Sequence, residues 1–151
     1  MDRNSLQLDH FLPYRLSVAS LLVSDVIAGA YVRLFALTVP EWRVITVLAE
    51  SDEITQQHIG KRTRMDKVTV SRAAIALAQR GLVIRTPNPS DGRSHLLNLS
   101  KEGHELYALV VPHALSLEQQ VFGSIAPRDL AAFNAVLDQI MAAATAMREG
   151  E

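Results

Sequence analysis

The chain has no cysteine among its 151 residues. Disulfide bonds, thiolate sites for zinc or iron–sulfur clusters, and thiol redox switches are therefore excluded. Because proteins without disulfides are common in reducing compartments, we expect a cytoplasmic location.

The sequence also lacks the patterns of catalytic and metal-binding proteins. No two of its five histidines are three or four residues apart, the spacing that a zinc pair on a helix needs. It has no phosphate-binding loop, no dinucleotide glycine fingerprint and no nucleophile elbow. We therefore expect no enzymatic activity, no metal and no cofactor.

No apolar run is long enough to predict a membrane span. The most apolar stretch, residues 16–32, contains Asp25 and ends at Arg33, whereas a span needs roughly 20 uninterrupted apolar residues. A helix that is apolar on most sides is typical of a protein core or a subunit interface. We expect α-helix here and no membrane partner.

Hydrophobic residues make up 48% of the chain and charged residues 21%, a composition typical of one globular domain. Capping residues indicate where helices begin. Thr38 and Glu41 fit a capping box, and Thr55, Asp66 and Ser100 fit single caps. The predicted helices cover residues 13–36, 39–50, 56–62, 67–80, 101–121 and 127–147, with a kink expected at Pro112.

A hairpin is predicted between the fourth and fifth helices. Gly81 ends the fourth helix, and strands over residues 82–86 and 94–99 flank turn-forming residues 87–92. Two short helices followed by a hairpin are typical of a winged helix-turn-helix. We therefore expect a mainly α fold with a small β-hairpin wing, organised as an N-terminal arm and helix (1–37), a DNA-binding lobe (38–99) and C-terminal helices (100–151), and the terminal helices are the dimerisation helices if the family resemblance described below holds.

Positive charge is concentrated in the predicted lobe. Residues 55–101 hold nine basic and two acidic residues, a local net charge of +7, while the other residues hold six bases and 14 acids, a net charge of -8. A solvated surface would be expected to mix the two signs, whereas phosphate binding needs a local cationic surface. The pattern favours double-stranded DNA as the partner.

The fourth helix is the candidate reader of DNA sequence. Val70, Ala74, Leu77 and Ala78 share the face expected to pack on the core. The other residues near its N-terminal end are expected in the major groove, although they can instead simply solvate the first turn. They are Lys67, Val68, Thr69, Ser71 and Arg72.

Two flanking segments are expected to contact the DNA backbone and minor groove. Thr55, Gln56 and Gln57 start the third helix, where amides attract phosphate, although Thr55 can serve as a cap alone. In the wing, Asp91 is expected to order the turn and pair with Arg93, which reaches a minor groove. The alternative is an exposed turn with a weak surface ion pair.

Six motifs in this order resemble the MarR family of bacterial transcription regulators. They are LTVPEWR (37–43), ITQQHI (54–59), DKVTVSR (66–72), RGLVIR (80–85), DGR (91–93) and LSKEG (99–103). The resemblance implies a homodimer with interleaved first and last helices on a pseudo-palindromic operator. It also implies release by small aromatic or phenolic ligands or by cysteine oxidation, and the second route needs a cysteine.

The chain departs from the family pattern at one turn. Thr63 stands where the family has an apolar residue, and Arg64 stands where glycine is frequent. We expect a less tightly packed turn there, with Arg64 as an additional phosphate contact.

A ligand pocket is expected where the N-terminal helices meet the lobe. His10, Tyr14, Trp42 and Arg43 are the polar or aromatic candidates, although core packing also explains Trp42. The sequence thus predicts a sequence-specific DNA-binding regulator, a homodimeric repressor released by a small effector. The alternatives are a winged-helix protein-interaction module and a small-molecule enzyme.

Overall fold

The computed structural model describes residues 5–150. It is mainly helical with a small antiparallel sheet, as predicted. A 3-10 turn (Leu8–His10) precedes six helices, α1 (Leu12–Phe35), α2 (Val39–Glu50), α3 (Gln56–Thr63), α4 (Lys67–Gln79), α5 (Lys101–Phe122) and α6 (Pro127–Glu149), and the strands are β1 (Ile54–Thr55), β2 (Val83–Asn88) and β3 (Asp91–Leu99).

The predicted caps are present. Thr38 and Glu41 form the capping box, with the Glu41 amide donating to the Thr38 hydroxyl at 3.3 Å and the Thr38 amide donating to the Glu41 carboxylate at 3.1 Å. The Thr55 hydroxyl accepts from the His58 amide at 3.2 Å. These bonds satisfy amides that the first helical turn leaves unpaired, so the caps set where α2 and α3 begin.

The hairpin is longer than the sequence predicted. β2 and β3 pair in antiparallel register with Val83 opposite Leu99, and the pairing reaches an irregularity at Pro87 and Asn88. The turn is reduced to Pro89 and Ser90, so the strands extend into residues predicted as turn. Pairing across the hairpin outweighs the local turn preference of this segment.

The third strand was not predicted. β1 pairs with the outer edge of β3, so the sheet order is β1-β3-β2. Two residues are too few to show the alternation of apolar and polar side chains that predicts a strand. They are extended here because they pair with β3.

The core lies between α2, α4 and the sheet. Ile45, Leu48, Leu77 and Leu97 are at most 1% exposed. α5 begins against this layer, since the Ser100 hydroxyl donates to the Gly81 carbonyl at 2.6 Å and accepts from the Gly103 amide at 3.0 Å. The lobe thus has its own apolar centre and a fixed exit into α5.

Gly103 allows α5 to approach the sheet closely. A Cβ at this position would overlap the Leu82 carbonyl oxygen. No larger residue fits without moving the start of α5.

The chain divides into two compact units, with the boundary at Ala114 and Leu115, inside α5. The three-part division by role, residues 1–37, 38–99 and 100–151, stays a prediction. Residues 1–4 of its first part lie outside the described residues.

Of the two positions expected for α1, a protein core or a subunit interface, the single chain does not show the first. Only Ala30 and Tyr31 are buried in α1, and no residue is buried in α6. By length and composition alone, both helices could cross a bilayer, a criterion that buried helices of soluble proteins also meet. Large apolar side chains of both helices, among them Leu22 and Val136, are therefore exposed in the single chain.

Candidate nucleic-acid interface

The N-terminal end of α4 presents an exposed reading surface. Lys67, Val68 and Arg72 are exposed, and Thr69 and Ser71 are half-buried. Val70 and Ala74 point into the core at 1% and 0% exposure. The predicted division of α4 into a packed face and a solvent face is therefore confirmed.

Asp66 holds the first turn of α4 in place. Its carboxylate accepts from the Thr69 amide and from the Thr69 hydroxyl, each at 2.8 Å. These bonds favour the ionised form and lower the pKa of Asp66. Since the Thr69 hydroxyl donates its proton to Asp66, it can only accept a further hydrogen bond.

A groove between α3, α4 and the wing gathers predicted residues from three elements. Its volume is about 490 Å³. Five of the predicted DNA-binding residues line it, namely Gln56, Gln57, Lys67, Asp91 and Arg93. Residues 57 and 93 are far apart in sequence, and the pairing of β1 with β3 brings their elements together.

Sequence reasoning missed several groove residues. Ser94 and His95 on β3 and Met65 before α4 also line the groove. Side chains two residues apart on a strand point to the same face, so His95 lies on the face of β3 that carries Leu97 and Leu99. This alternation is a sequence signal that could have placed His95. No sequence signal would have identified Met65.

The turn between α3 and α4 explains the two departures from the family pattern. Arg64 adopts a left-handed conformation with φ 56°, the region in which glycine is favoured. The Thr63 hydroxyl donates to the Ile59 carbonyl at 2.7 Å and accepts from the Met65 amide at 3.3 Å. The Thr63 hydroxyl thus bonds to the turn backbone on both sides, and the expectation of a less tightly packed turn stays a prediction.

The wing is ordered by side chains that bond to its backbone. Asp91 accepts from the Arg93 backbone amide at 3.0 Å, and Asn88 accepts from the Ser90 amide at 3.0 Å. The expected pairing of Asp91 with Arg93 is therefore made through the amide, and the salt bridges within residues 5–150 do not include the Arg93 guanidinium. Arg93 is exposed beside the tip formed by Pro89 and Ser90.

Four of the nine basic residues have partners or positions inside the protein. Arg62 pairs with Glu50 at 2.6 Å, and Lys101 with Glu105 at 3.9 Å. Arg80 donates to two backbone carbonyls of the α1 end, and the buried Nε of Arg85 has no hydrogen-bond partner among the described residues. The local charge of +7 thus overstates the cationic surface. The other basic residues of the segment are all exposed, namely Lys61, Arg64, Lys67, Arg72 and Arg93.

A second cleft, of about 520 Å³, lies beside α1 and α2. Trp42 and Arg43 line it as the sequence predicted, together with Tyr31 and Thr46. His10 and Tyr14 are not among its lining residues. Both are exposed, His10 just before α1 and Tyr14 in its first turn. The ligand prediction is thus only half supported by position.

Two aromatic side chains, Tyr31 and Trp42, are among the residues that line this cleft. The Trp42 ring lies 5.6 Å from the Tyr31 ring and stacks on the Tyr107 ring at 5.7 Å between centroids. Burial raises the pKa of Tyr31, so its phenol stays neutral at physiological pH. Flat rings beside the Arg43 guanidinium suit an aromatic ligand with an acidic group.

Within residues 5–150, no group of three or more acidic or histidine side chains is arranged to hold a metal ion.

Comparison with known proteins links the fold to one family. A model of the MarR family matches residues 37–94. The transcriptional regulator HosA of Escherichia coli O111:H- is 25% identical over 105 residues, which are 70% of this chain and 78% of HosA.

Two solved structures share the fold. The MarR/EmrR family regulator of Acinetobacter sp. ADP1 has a TM-score of 0.84 at 21% identity, covering 93% of this chain and 99% of that one. BpsR of Bordetella bronchiseptica, whose DNA binding is regulated by 6-hydroxynicotinic acid, has a TM-score of 0.84 at 22% identity, covering 91% and 98%. Residues 37–94, which hold α2, the helix-turn-helix and most of the wing, are therefore similar to the MarR family of transcription regulators, and the chain shares the fold of solved MarR-family proteins.

Proposed function

We propose that this protein is a cytoplasmic, homodimeric repressor that binds a pseudo-palindromic operator and is released by a small aromatic effector. The observation that carries the DNA-binding part is the groove between α3, α4 and the wing. It collects Gln57, Lys67 and Arg93 from three elements on one face.

α4 enters the major groove in this proposal. Arg72 makes a bidentate contact with a guanine edge, and Val68, 57% exposed, packs on a thymine methyl. Ser71 and Thr69 supply polar contacts, with Thr69 accepting from an exocyclic amine because its proton bonds to Asp66.

The flanking elements bind the backbone and the minor groove. Thr55, Gln56 and Gln57 begin α3 and present amides to a phosphate, and Arg64 adds a cation at the turn. Arg93 enters the adjacent minor groove from the wing, supported by the turn that Asp91 orders.

A second copy of the chain covers the apolar faces of α1 and α6. Leu22 and Val26 on α1, and Val136 on α6, are each about half exposed or more. A bilayer is a poor cover, because Asp25 and Asp138 lie exposed in mid-helix, where lipid would leave a carboxylate unsolvated. A symmetric dimer places two reading helices about 34 Å apart, one turn of the duplex.

DNA binding is tested by gel-shift titration at rising salt, with a site first selected from random duplexes. We assign Lys67 a phosphate contact beside the reading surface, so Lys67→Ala should weaken binding to all duplexes alike and reduce the slope of log affinity against log salt by about 0.9. Arg72→Ala should instead relax the preference for the selected site, by about 1–3 kcal/mol at one base pair.

Arg148→Ala serves as the matched control, because Arg148 is an exposed cation at the far end of α6. Affinity that does not depend on salt, or equal losses for all three variants, would contradict the proposal. A complex with an acidic protein but none with random duplex DNA would favour the protein-interaction alternative.

Effector release is assigned to the cleft lined by Trp42 and Arg43. Support comes from its aromatic lining residues and from the ligand of the structural neighbour BpsR, which is an aromatic acid. The ligand acts by binding the operator-bound state less tightly, since only a difference in affinity shifts an equilibrium.

Trp42 is the single tryptophan of the chain, so its fluorescence reports directly on this cleft. Aromatic acids, with 6-hydroxynicotinic acid among them, should change the emission in a saturable way. Arg43→Ala should weaken this binding by about 1.5–3 kcal/mol through loss of a charge-assisted bond, while Arg33→Ala should not. An emission unaffected by every aromatic acid would remove the cleft from the proposal.

A further inference from the structure

We propose that Arg80 is a positioning residue that fixes the angle between the DNA-binding lobe (residues 38–99) and α1, and so sets the separation of the two reading helices. The inference rests on the proposed dimer function. Arg80 touches no DNA in this scheme, and it acts through the backbone at the end of α1.

Arg80 joins two helix ends that are 44 and 45 residues apart in sequence. One terminal nitrogen of its guanidinium donates to the Ala36 carbonyl at 2.9 Å, and the other to the Phe35 carbonyl at 3.2 Å. These carbonyls lie at the C-terminal end of α1, where the helix carries partial negative charge. A cation is therefore bound at a helix end that attracts it.

Both ends of this bridge are themselves held by backbone bonds. The Arg80 amide donates to the Ala76 carbonyl at 3.2 Å, which continues the ladder of α4. At the other end Ala36 is left-handed, with φ 51°, and the next amide, of Leu37, donates to the Tyr31 carbonyl at 3.2 Å. Because the backbone is held at the end of α4 and at the end of α1, the Arg80 side chain between them couples the orientations of the two helices.

The joint that Arg80 spans is otherwise small. In α1 only Ala30 and Tyr31 are buried, although the helix is 24 residues long. The Tyr31 ring contacts Trp42 on α2, and Leu37 leads into that helix at 0% exposure. Because so little surface is buried between α1 and the lobe, their relative orientation is weakly constrained by packing. The two hydrogen bonds of Arg80 therefore contribute a large share of the constraint on that orientation.

The chemistry requires arginine. A planar guanidinium holds two acceptors at once, whereas a lysine ammonium is a point charge on a flexible stem. Arg80→Lys keeps the charge and most of the packing but loses the fixed two-carbonyl geometry.

The test is the dependence of DNA affinity on half-site spacing. The full-length protein, Arg80→Met, Arg80→Lys and the control Arg33→Met are titrated on the selected operator, on operators with one base pair added or removed between half-sites, and on a single half-site. Arg33→Met removes the same charge from the last turn of α1, where Arg33 is exposed and makes no bond to these carbonyls.

We expect Arg80→Met to bind the native operator about tenfold more weakly, in the range of ordinary coupling between sites. It should lose most of its preference for native spacing and keep its half-site affinity. Arg80→Lys should show the same loss of spacing preference, and Arg33→Met should retain the preference. If Arg80→Met does not fold, as judged by its melting curve, Arg80→Lys decides the question alone.

Two results overturn the inference without touching the proposed function. One is an unchanged spacing preference in the folded Arg80 variants, and the other is an equal loss on the half-site and the full operator. A wild-type protein that binds no operator at all would overturn the proposed function itself.

Discussion

Asp66 illustrates how one side chain serves both folding and binding. It caps α4 through the Thr69 amide and also orients the Thr69 hydroxyl at the edge of the reading surface. The sequence predicted the cap, because an acid before an apolar-periodic run is a strong helix start. It could not predict the second bond, which depends on the rotamer that Thr69 adopts.

The cap should make stability depend on acidity. Because the pKa of Asp66 is lowered on folding, its contribution is complete above the unfolded value of about 3.9 and is lost as the pH falls through the folded value. Asp66→Ala should therefore lower the urea midpoint at neutral pH and approach the wild-type midpoint in strong acid.

Thr55→Ala is the control, since it removes a cap that does not titrate in this range. Its midpoint should stay below the wild-type midpoint by the same amount throughout. A constant difference for Asp66→Ala as well would show that the carboxylate charge contributes nothing.

Among the elements, the wing differs most from its sequence-based prediction. Residues 87–92 contain two prolines, a serine, an aspartate and a glycine, and local chemistry predicted a turn throughout. In the structure only Pro89 and Ser90 remain outside the strands. The longer hairpin carries Arg93 on an ordered strand, with its amide held by Asp91.

Removing the wing cation should affect DNA binding selectively. Arg93→Ala should weaken operator binding by about 1–2 kcal/mol, with the greatest loss where A·T-rich flanks narrow the minor groove. Lys101→Ala removes one charge from the same basic segment, outside the wing, and should have a smaller and sequence-independent effect. Equal losses on A·T-rich and G·C-rich flanks would limit Arg93 to phosphate contact.

At the scale of the whole molecule, the unpaired surfaces are the main feature. α6 runs for 23 residues without a buried side chain and exposes Phe133, Val136 and Ile140 on a helical stripe. Such a stripe costs solubility unless a partner covers it. A second copy of the chain is the partner that we propose.

Dimer formation is tested on α6. Val136→Glu should raise the dimer dissociation constant about 10–100-fold, because an apolar contact is replaced by an unpaired charge. The monomer should keep its melting behaviour, since Val136 is 48% exposed in the single chain.

Sedimentation across a concentration series measures the change. Asn134→Glu places the same charge on another exposed position of α6 and should leave the dimer intact. Operator affinity should fall with Val136→Glu in parallel with dissociation. A Val136→Glu protein that remains dimeric would assign the apolar stripe to another partner.

The sequence by itself determined the helices, their caps, the packed face of α4 and the resemblance to the MarR family. These depend on short-range rules, since a cap or an amphipathic stripe is complete within about a dozen residues. It also identified five of the residues that line the groove, because each of the five lies at a helix start or in the hairpin, where binding groups are exposed.

Only the tertiary structure decided which charges are used inside the protein and which face solvent. Nothing in the sequence distinguishes Arg62, Arg80 and Lys101 from Arg72. In the structure Arg62 pairs with Glu50, Arg80 donates to carbonyls at the end of α1, and Lys101 pairs with Glu105. It also decided that Trp42 and Arg43, but neither His10 nor Tyr14, line the cleft. The physical reason is that such pairings join residues far apart in the chain, and their distances are set by the packing of whole elements.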